Sequence, residues 1–557
     1  MSNPIEMIED MVGGALAKEP LPTPERIREL ISGVRSLSFI SDVSDADAEK
    51  LALKFEERHG VEMKIGAVLK ESDFEPWLDA ARADIDPYYW QRYRRLLSEQ
   101  GFSSQVLATL DDVTDRILGL LENPKKEGNW DRRGMVVGHV QSGKTANYTG
   151  LISKAADAGY RLIVVIAGVH NNLRNQTQIR IDEGFVGRDS ARMLTSSEER
   201  IIGVGRYDSS RCPSTFTNSI RDFNKIMASG VGIPLQNLKE PAVFVIKKQA
   251  NTLKNLLEWL KEHSASRGSG SVDAPMLLID DEADNASINT KHGSGEVTRI
   301  NGQIRQLLNM FEKSCYIGYT ATPFANIFID PASEDEMFGE PLFPKNFIVS
   351  LDPPGNYFGA DRVFLEDSEN VIRHIDDNED RLPLKHPAEF QMEALPQSLL
   401  TAVRAFLVAK AIRILRGDET SHSSMLVNAS FRNNVQSQIR NEIHIALEQI
   451  QASVRVNASL SPQQALKDKE ILALHDVWRE EYESSTEFDW PAVQSRLHQA
   501  VAPVRTALIN YRSPDTLDYA GHAKTGLSVI AVGGFSLSRG LTLEGLMTSY
   551  FLRNSMM

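Results

Sequence analysis

The sequence predicts an α/β fold built on parallel sheets, and three observations carry that prediction. Residues 138–145 read Gly-His-Val-Gln-Ser-Gly-Lys-Thr, set between an apolar run, Met135-Val136-Val137, and a helical stretch that opens at Ala146. A second apolar run, Pro275-Met276-Leu277-Leu278-Ile279, ends in acids, Asp280-Asp281-Glu282-Ala283-Asp284. From Gly134 onward, short apolar runs alternate with helical stretches, the texture of βαβ units and a parallel sheet.

In chain order, residues 1–125 read as a helical region. Glu25–Ile31, Ala46–Phe55 and Val106–Leu121 each space apolar residues at helical period, and the last stops before Asn123-Pro124. Residues 126–350 form the first α/β domain, with strands at Met135–Val137, Leu162–Ala167, Ala242–Ile246, Met276–Ile279 and Cys315–Tyr319. The Ser/Gly-rich stretch 264–271 is a surface loop between two of them. Residues 351–395, rich in Pro and acids, read as a connection. Residues 396–557 form a second α/β domain with strands at Ser424–Asn428 and Leu527–Val532, and the polar helical stretch of about 433–510 reads as an insertion between them.

A chain of 557 residues exceeds what one hydrophobic core serves, so more than one domain is expected. With 41% hydrophobic and 24% charged residues the composition is that of a globular protein. No apolar run approaches the roughly 20 residues needed to span a bilayer. The N-terminus carries no secretory pattern, and two cysteines, Cys212 and Cys315, are too few for a disulfide framework. A cytoplasmic, membrane-free protein is the expectation. The net charge of −14 argues against non-specific coating of nucleic acid, so any such contact must come from local basic grooves.

The 138–145 segment has the G-x-x-x-x-G-K-[ST] pattern of a phosphate loop. Its glycines let the backbone curl so that N–H groups and the helix start converge on an anion. Gly138, Gln141, Ser142, Gly143, Lys144, Thr145 and Ala146 are the candidate nucleotide-binding residues. Lys144 reaches the β- and γ-phosphates of ATP, and the Thr145 hydroxyl binds Mg²⁺ together with Asp281. Glu282 is the candidate general base that deprotonates the attacking water. Asp280 is assigned a supporting role, and Asp284 a link to the next motif. The competing readings are a chance glycine turn and an acidic strand-to-helix turn with cap residues.

Further segments surround these two. Gly318-Tyr319-Thr320-Ala321-Thr322-Pro323 resembles the Thr-Ala-Thr element of superfamily two helicases, which makes Thr320 and Thr322 coupling candidates. Asn171–Arg180, read as a loop beyond a strand end, offers Asn172, Arg174 and Gln176 as phosphate-backbone contacts, and Lys247 after the third strand serves likewise. A solvated helix start is the alternative reading. In the second domain, Ala531–Thr542 looks like the fifth helicase motif and places Arg539 and Thr542 near an interdomain cleft. Trp130, ahead of the first strand, is a candidate for stacking on the base, with a core tryptophan as the alternative.

Four stretches together carry a family resemblance: Arg132-Arg133-Gly134 with Val140–Tyr148, Ala155–Tyr160, His170–Arg174, and Ser538–Leu546. They resemble the Z-one domain family of bacterial proteins, labelled as endonucleases and similar to superfamily two helicases. The resemblance runs from about residue 85 onward. It implies two RecA-like domains, with anti-phage or restriction clusters as the setting and a MutL- or MORC-like ATPase and an abortive-infection type protein as partners. That family's sixth motif, Gln-x-x-Gly-Arg-x-x-Arg, has no counterpart before Met557, so the second domain is expected to be incomplete and ATP turnover weak.

The reading is therefore a P-loop ATPase, helicase- or translocase-like, acting on DNA, with ATP and Mg²⁺ as cofactors. A nucleotide-gated scaffold that recruits effector proteins is the first alternative. A metal-dependent endonuclease is the second, although no convincing set of carboxylates plus Lys is found outside the ATP site.

Overall fold

The computed structural model describes residues 4–16, 24–37, 43–45, 47–49, 51–52, 55, 68–71, 74–139, 143–169, 171–191, 200–225, 228, 239–263, 271–285, 287, 298–323, 326, 341–353, 357–387, 389–510, 513, 515, 517–534, 537 and 541–552. They belong to two compact units, Met1–Glu366 and Asp367–Met557. Parts of the expected 46–55 helix and the 264–271 loop lie outside the described residues.

The first unit opens with α1 (Pro4–Leu16) and α2 (Pro24–Arg35), whose Ile8, Val12, Ile27 and Ile31 share a small core of their own. Their fourfold spacing puts each pair on one helix face. Then come α3 (Tyr88–Glu99) and α4 (Ser104–Leu120). The Ser103 hydroxyl accepts from the Val106 N–H and caps α4, a contact worth about 1 kcal/mol.

Eight strands follow in one sheet: β1 (Val68–Lys70), β2 (Trp130–Gly138), β3 (Leu162–Ala167), β4 (Ser214–Thr215), β5 (Ala242–Ile246), β6 (Met276–Asp281), β7 (Lys313–Thr320) and β8 (Phe347–Leu351). Their order is β1-β8-β2-β7-β6-β3-β5-β4. Every neighbouring pair is parallel except β1 with β8. The helices between strands are α5 (Lys144–Ala158), α6 (Asn171–Ile181), α7 (Ala250–His263) and α8 (Arg299–Asn309).

Side chains alternate between the two faces and both are covered. Ile163, Val165, Val245, Leu277, Ile279 and Ile317 pack with Leu151, Ile152 and Ala155 of α5 and with Ile117 of α4. Val164, Ile166, Phe244, Ile246, Met276 and Leu278 pack on the other side with Leu253, Leu256 and Leu260 of α7 and with Ile304 and Leu307 of α8. Burial on both faces is why these strands read as unbroken apolar runs. The phosphate-loop strand β2 and the acidic strand β6 flank β7, a doubly wound, RecA-like arrangement.

The second unit holds α9 (Gln397–Leu415), β9 (Ser423–Asn428), α10 (Asn433–Asn457), α11 (Lys469–Glu481), α12 (Trp490–Val501), β10 (Arg505–Ile509), β11 (Ser528–Gly533) and β12 (Leu546–Phe551). Its sheet is parallel throughout, in the order β10-β11-β9-β12.

Two expectations change here. The 433–510 stretch is no appended insertion, since it supplies the unit's own core. Ile439, Ile443 and Leu447 of α10, Leu474 of α11 and Leu497 of α12 pack with Phe406 of α9 and with Met425, Val427, Ile530 and Val532 of the sheet. Its last residues form the strand β10. Trp130 is also reassigned. It is 8% exposed and begins β2, so the nine residues of that strand, about 30 Å of chain, separate it from the phosphate loop. It packs edge-on against Tyr160 and is a core residue.

Ile443→Ala, at a fully buried position, is expected to lower unfolding free energy by about 2–5 kcal/mol. Ile445→Ala, on the same helix but 47% exposed, is expected to cost less than about 0.5 kcal/mol. Urea unfolding followed by tryptophan fluorescence compares the two, and equal costs would mean that α10 does not build the core.

Candidate functional site

Parallel pairing brings the C-terminal ends of β2, β3, β5, β6 and β7 to one edge of the sheet. Register then sets the spacing. Asp281 of β6 lies opposite Tyr319 of β7, and Tyr319 lies opposite Val136 of β2. The acid is thus two strand spacings, about 10 Å, from the phosphate-loop strand. Gly138 is the last residue of β2, and α5 begins at Lys144 behind Gly143, whose φ of 89° is left-handed. That backbone suits glycine alone among common residues. The first-turn amides of α5 have no intrahelical acceptor, and the helix dipole is positive there. Lys144 is 8% exposed, and its ammonium donates to the His139 carbonyl at 3.0 Å. Thr145 follows, its hydroxyl accepting from Arg180 Nη1 of α6 at 3.2 Å, and Ala146 lies in the same first turn. Gln141 and Ser142 lie outside the described residues.

Two tyrosines connect this helix to the acidic edge. The Tyr148 hydroxyl of α5 donates to Asp281 Oδ2 at 3.3 Å, and the Tyr319 hydroxyl of β7 donates to Asn147 Oδ1 at 2.8 Å. Their rings meet edge-on at 5.5 Å. Asp281 therefore faces the start of the phosphate helix. Burial pushes its carboxyl above the ordinary range, opposed by the Lys144 and Lys248 cations. Burial also raises Glu282, with Asp281 and Asp284 adding to the shift and Lys144 and Lys248 opposing it. A carboxylate so raised is a better proton acceptor than a solvated one.

The turn that carries these acids is held from below and from the side. The Lys248 side chain, at the end of β5, is fully buried and ion-paired to the equally buried Asp280 at 2.8 Å. Its ammonium also donates to the backbone carbonyls of Asp281 at 2.9 Å and Glu282 at 2.8 Å. The second Asp280 oxygen accepts from the Tyr316 hydroxyl at 2.8 Å. Glu282 has φ 54°, the one left-handed non-glycine among the described residues. At Gly318 an added Cβ would meet the Ala283 Cβ at 2.9 Å, so a glycine in β7 lets the turn close. Asp284 then accepts from Thr320 Oγ1 at 2.9 Å and from Thr322 Oγ1 at 2.7 Å, which ties the acidic turn to the Thr-Ala-Thr segment.

Not every proposed residue is at this edge in the expected form. Residues 171–181 are the helix α6 and not a loop, and its periodicity turns Arg174 inward, 1% exposed, toward the Val245 carbonyl at 3.5 Å. Burial lowers its pKa. A buried guanidinium cannot grip a nucleic-acid strand, so Arg174 is reassigned to packing. Asn172 and Gln176 are half-buried on α6, and the Lys247 ammonium donates to Asn171 Oδ1 at 2.9 Å. Thr542 belongs to the second unit, and Arg539 lies outside the described residues. Sequence reading singled out none of Arg180, Tyr148 and Lys248: Arg180 and Lys248 only stood in stretches offered for phosphate-backbone contacts, and Tyr148 only in a stretch carrying the family resemblance. Arg180 and Tyr148 stand in helices whose facing no single sequence displays, and Lys248 reads as one of two adjacent surface lysines.

The sequence profile described as the Z1 domain matches residues 398–557, within the second unit. No curated protein matches the chain. Among solved structures the chain is similar to a variant of S. cerevisiae Dbp5 bound to a Gle1 variant and IP6, at 12% identity over 85% of this chain and 90% of that one, with TM-score 0.30. It is similar also to the ATP-dependent Type ISP restriction-modification enzyme LlaBIII bound to DNA, at 13% identity over 83% of this chain and 25% of that one, TM-score 0.28. The Pyrococcus furiosus Hef helicase domain matches at 11% identity over 72% and 82%, TM-score 0.26. At scores this low the fold rests on the sheet order itself. No helix among the described residues is long and apolar enough to cross a membrane.

A left-handed non-glycine residue costs about 1–2 kcal/mol. Glu282→Gly is therefore expected to be more stable than Glu282→Ala by about 1 kcal/mol, because both lose the half-buried carboxylate and only glycine relieves the backbone. Urea midpoints of the two variants check this, and an alanine variant at least as stable as the glycine one would contradict a strained turn.

Proposed function

We propose that the chain is a P-loop ATPase that binds and hydrolyses ATP at the edge of its first sheet. The observation that carries the reading is the placement of Asp281 within electrostatic reach of Lys144 at the start of α5, with Tyr148 of the same helix donating to its carboxylate. Backbone amides of the helix start receive the phosphates together with Lys144, and Gly138 and Gly143 permit the curl. The donor set suits Mg²⁺. The Thr145 hydroxyl and Asp281 carboxylate are hard oxygens, and burial has left Asp281 short of positive charge. Bound there, Mg²⁺ supplies charge neutralisation at the β- and γ-phosphates. Glu282 then takes a proton from the attacking water, its basicity raised by the same burial that shields the site.

We infer further that hydrolysis drives a helicase- or translocase-like module on DNA, in bacterial anti-phage defence or restriction. Support comes from the Asp284 bridge to Thr320 and Thr322, which links the acid turn to the residues that resemble the coupling element of superfamily two, and from the Z1 match in the second unit. Arg539 and Thr542 of the second unit are assigned to nucleotide coupling as part of this proposal.

ATP hydrolysis with Mg²⁺ is expected and should vanish with EDTA. Lys144→Ala and Glu282→Gln should each lower turnover by on the order of 10²-fold or more, Lys144→Ala also weakening nucleotide binding. Single- or double-stranded DNA should raise the rate severalfold. Hydrolysis without DNA stimulation would favour a nucleotide-gated scaffold, and metal-dependent DNA cutting that survives Lys144→Ala would favour a nuclease.

A further inference from the structure

We propose that Lys248 is the positioning residue of the acid turn: from the end of β5, its buried ammonium fixes the Asp281 and Glu282 carbonyls and so aims the Glu282 carboxylate at the phosphates. The role rests on the ATPase reading above. Four features point to it. The side chain is fully buried, and so is its ion-pair partner Asp280. Its two hydrogen bonds go to consecutive carbonyls, those of the residues assigned to metal binding and to proton transfer. The Lys248 backbone N–H donates to the Gly168 carbonyl at 2.7 Å, so the root of the side chain is tied to the end of β3 and cannot drift. The residue that receives the second bond, Glu282, has the left-handed backbone that needs an external hold.

The geometry separates this role from mere packing. The Glu282 carbonyl also accepts from the Asn285 N–H at 2.9 Å, and the Lys248 ammonium ties that carbonyl to the one before it. One flexible ammonium hydrogen-bonds both carbonyls and stands in ion-pair contact with the Asp280 carboxylate. Without it, the cheapest response is rotation of the Glu282 peptide out of the left-handed region, which swings the carboxylate away from Lys144. Lys248 would touch neither nucleotide nor water, so its effect reaches the reaction only through Glu282.

The test compares Lys248→Met/Asp280→Asn, which removes the ammonium without leaving a buried carboxylate unpaired, with Asp280→Asn alone, which keeps both carbonyl bonds. Three quantities are measured: turnover, affinity for a fluorescent ADP analogue, and hydrogen exchange at the Ala283 and Asn285 amides. In the double variant, turnover is expected to fall at least 30-fold while analogue affinity stays within threefold, and both amides to exchange at least tenfold faster. Asp280→Asn should lose far less turnover. Wild-type turnover in the double variant, or exchange unchanged at both amides, overturns the proposal. If the wild-type chain neither hydrolyses ATP nor binds the analogue, the ATPase reading fails, and the catalytic part of this proposal falls with it. The exchange arm still decides whether Lys248 holds the turn.

Discussion

Parallel pairing is the constraint on which the site depends. In a parallel sheet all strands end on the same edge, so residues remote in sequence meet without any loop having to reach. Lys144, Lys248, Asp281 and Thr320 come from four segments spread over 176 residues of chain, yet each stands at or just beyond the C-terminal end of a strand. Register fixes the remaining distance. With β7 between β2 and β6, the end of the glycine-rich strand and the acids stand about 10 Å apart, which leaves room for the phosphates and metal of the proposed function.

The same edge concentrates charge where water is scarce. Asp280 and Lys248 are both fully buried, an arrangement whose desolvation cost can match or exceed its Coulombic return. A pair of apolar residues could fill that space at no loss of stability, but it would remove the ammonium that bonds the Asp281 and Glu282 carbonyls together. The retained pair makes sense as a device for geometry. Asp281 and Glu282 sit just above, both shifted upward by burial, Glu282 also by the neighbouring Asp281 and Asp284, and the cations of Lys144 and Lys248 only partly offset this. Negative charge is therefore in surplus at the strand end, with amide dipoles of α5 facing it across β7. A polyphosphate carrying a divalent cation complements both sides at once.

How much of this was legible in the sequence follows from the kind of burial each segment has. β3, β5, β6 and β7 are covered on both faces, so their composition alone marks them. β10, with Arg505 exposed, and β12, with Phe551 half exposed, are less apolar and were absorbed into a helical stretch or overlooked. The glycine-led start of α5 and the acid turn were legible as strand-end turns because backbone chemistry dictates their residue types. Facing was not. Arg174 and Trp130 carry side chains suited to ligands, but helical phase turns one inward and strand polarity puts the other at the wrong end of β2. The apparent insertion misled for a related reason. Helices that cover one sheet face show polar residues on the other side, and their average polarity hides Ile443 and Leu497.

The turn 281–284 also explains why the Thr-Ala-Thr segment stands where it does. Ala283 N–H donates to the Tyr319 carbonyl at 3.0 Å, and Asn326 Nδ2 donates to the Ala283 carbonyl at 3.2 Å. Asp284 takes both threonine hydroxyls, and the Thr322 N–H in turn donates to Thr320 Oγ1 at 3.0 Å. Between the carboxylate of Glu282 and the exposed hydroxyl of Thr322 there is thus one hydrogen-bonded turn and one bridging acid, with no flexible side chain in series. In the proposed ATPase, movement of Glu282 toward or away from a phosphate would strain that turn. Lys248 blocks it below and Gly318 leaves no slack beside it. In the proposed coupling, the Asp284 bridge carries that strain to the exposed Thr322. Such a bridge transmits only if it has two stable arrangements, and two hydroxyls on one carboxylate allow that, since either can leave while the other holds.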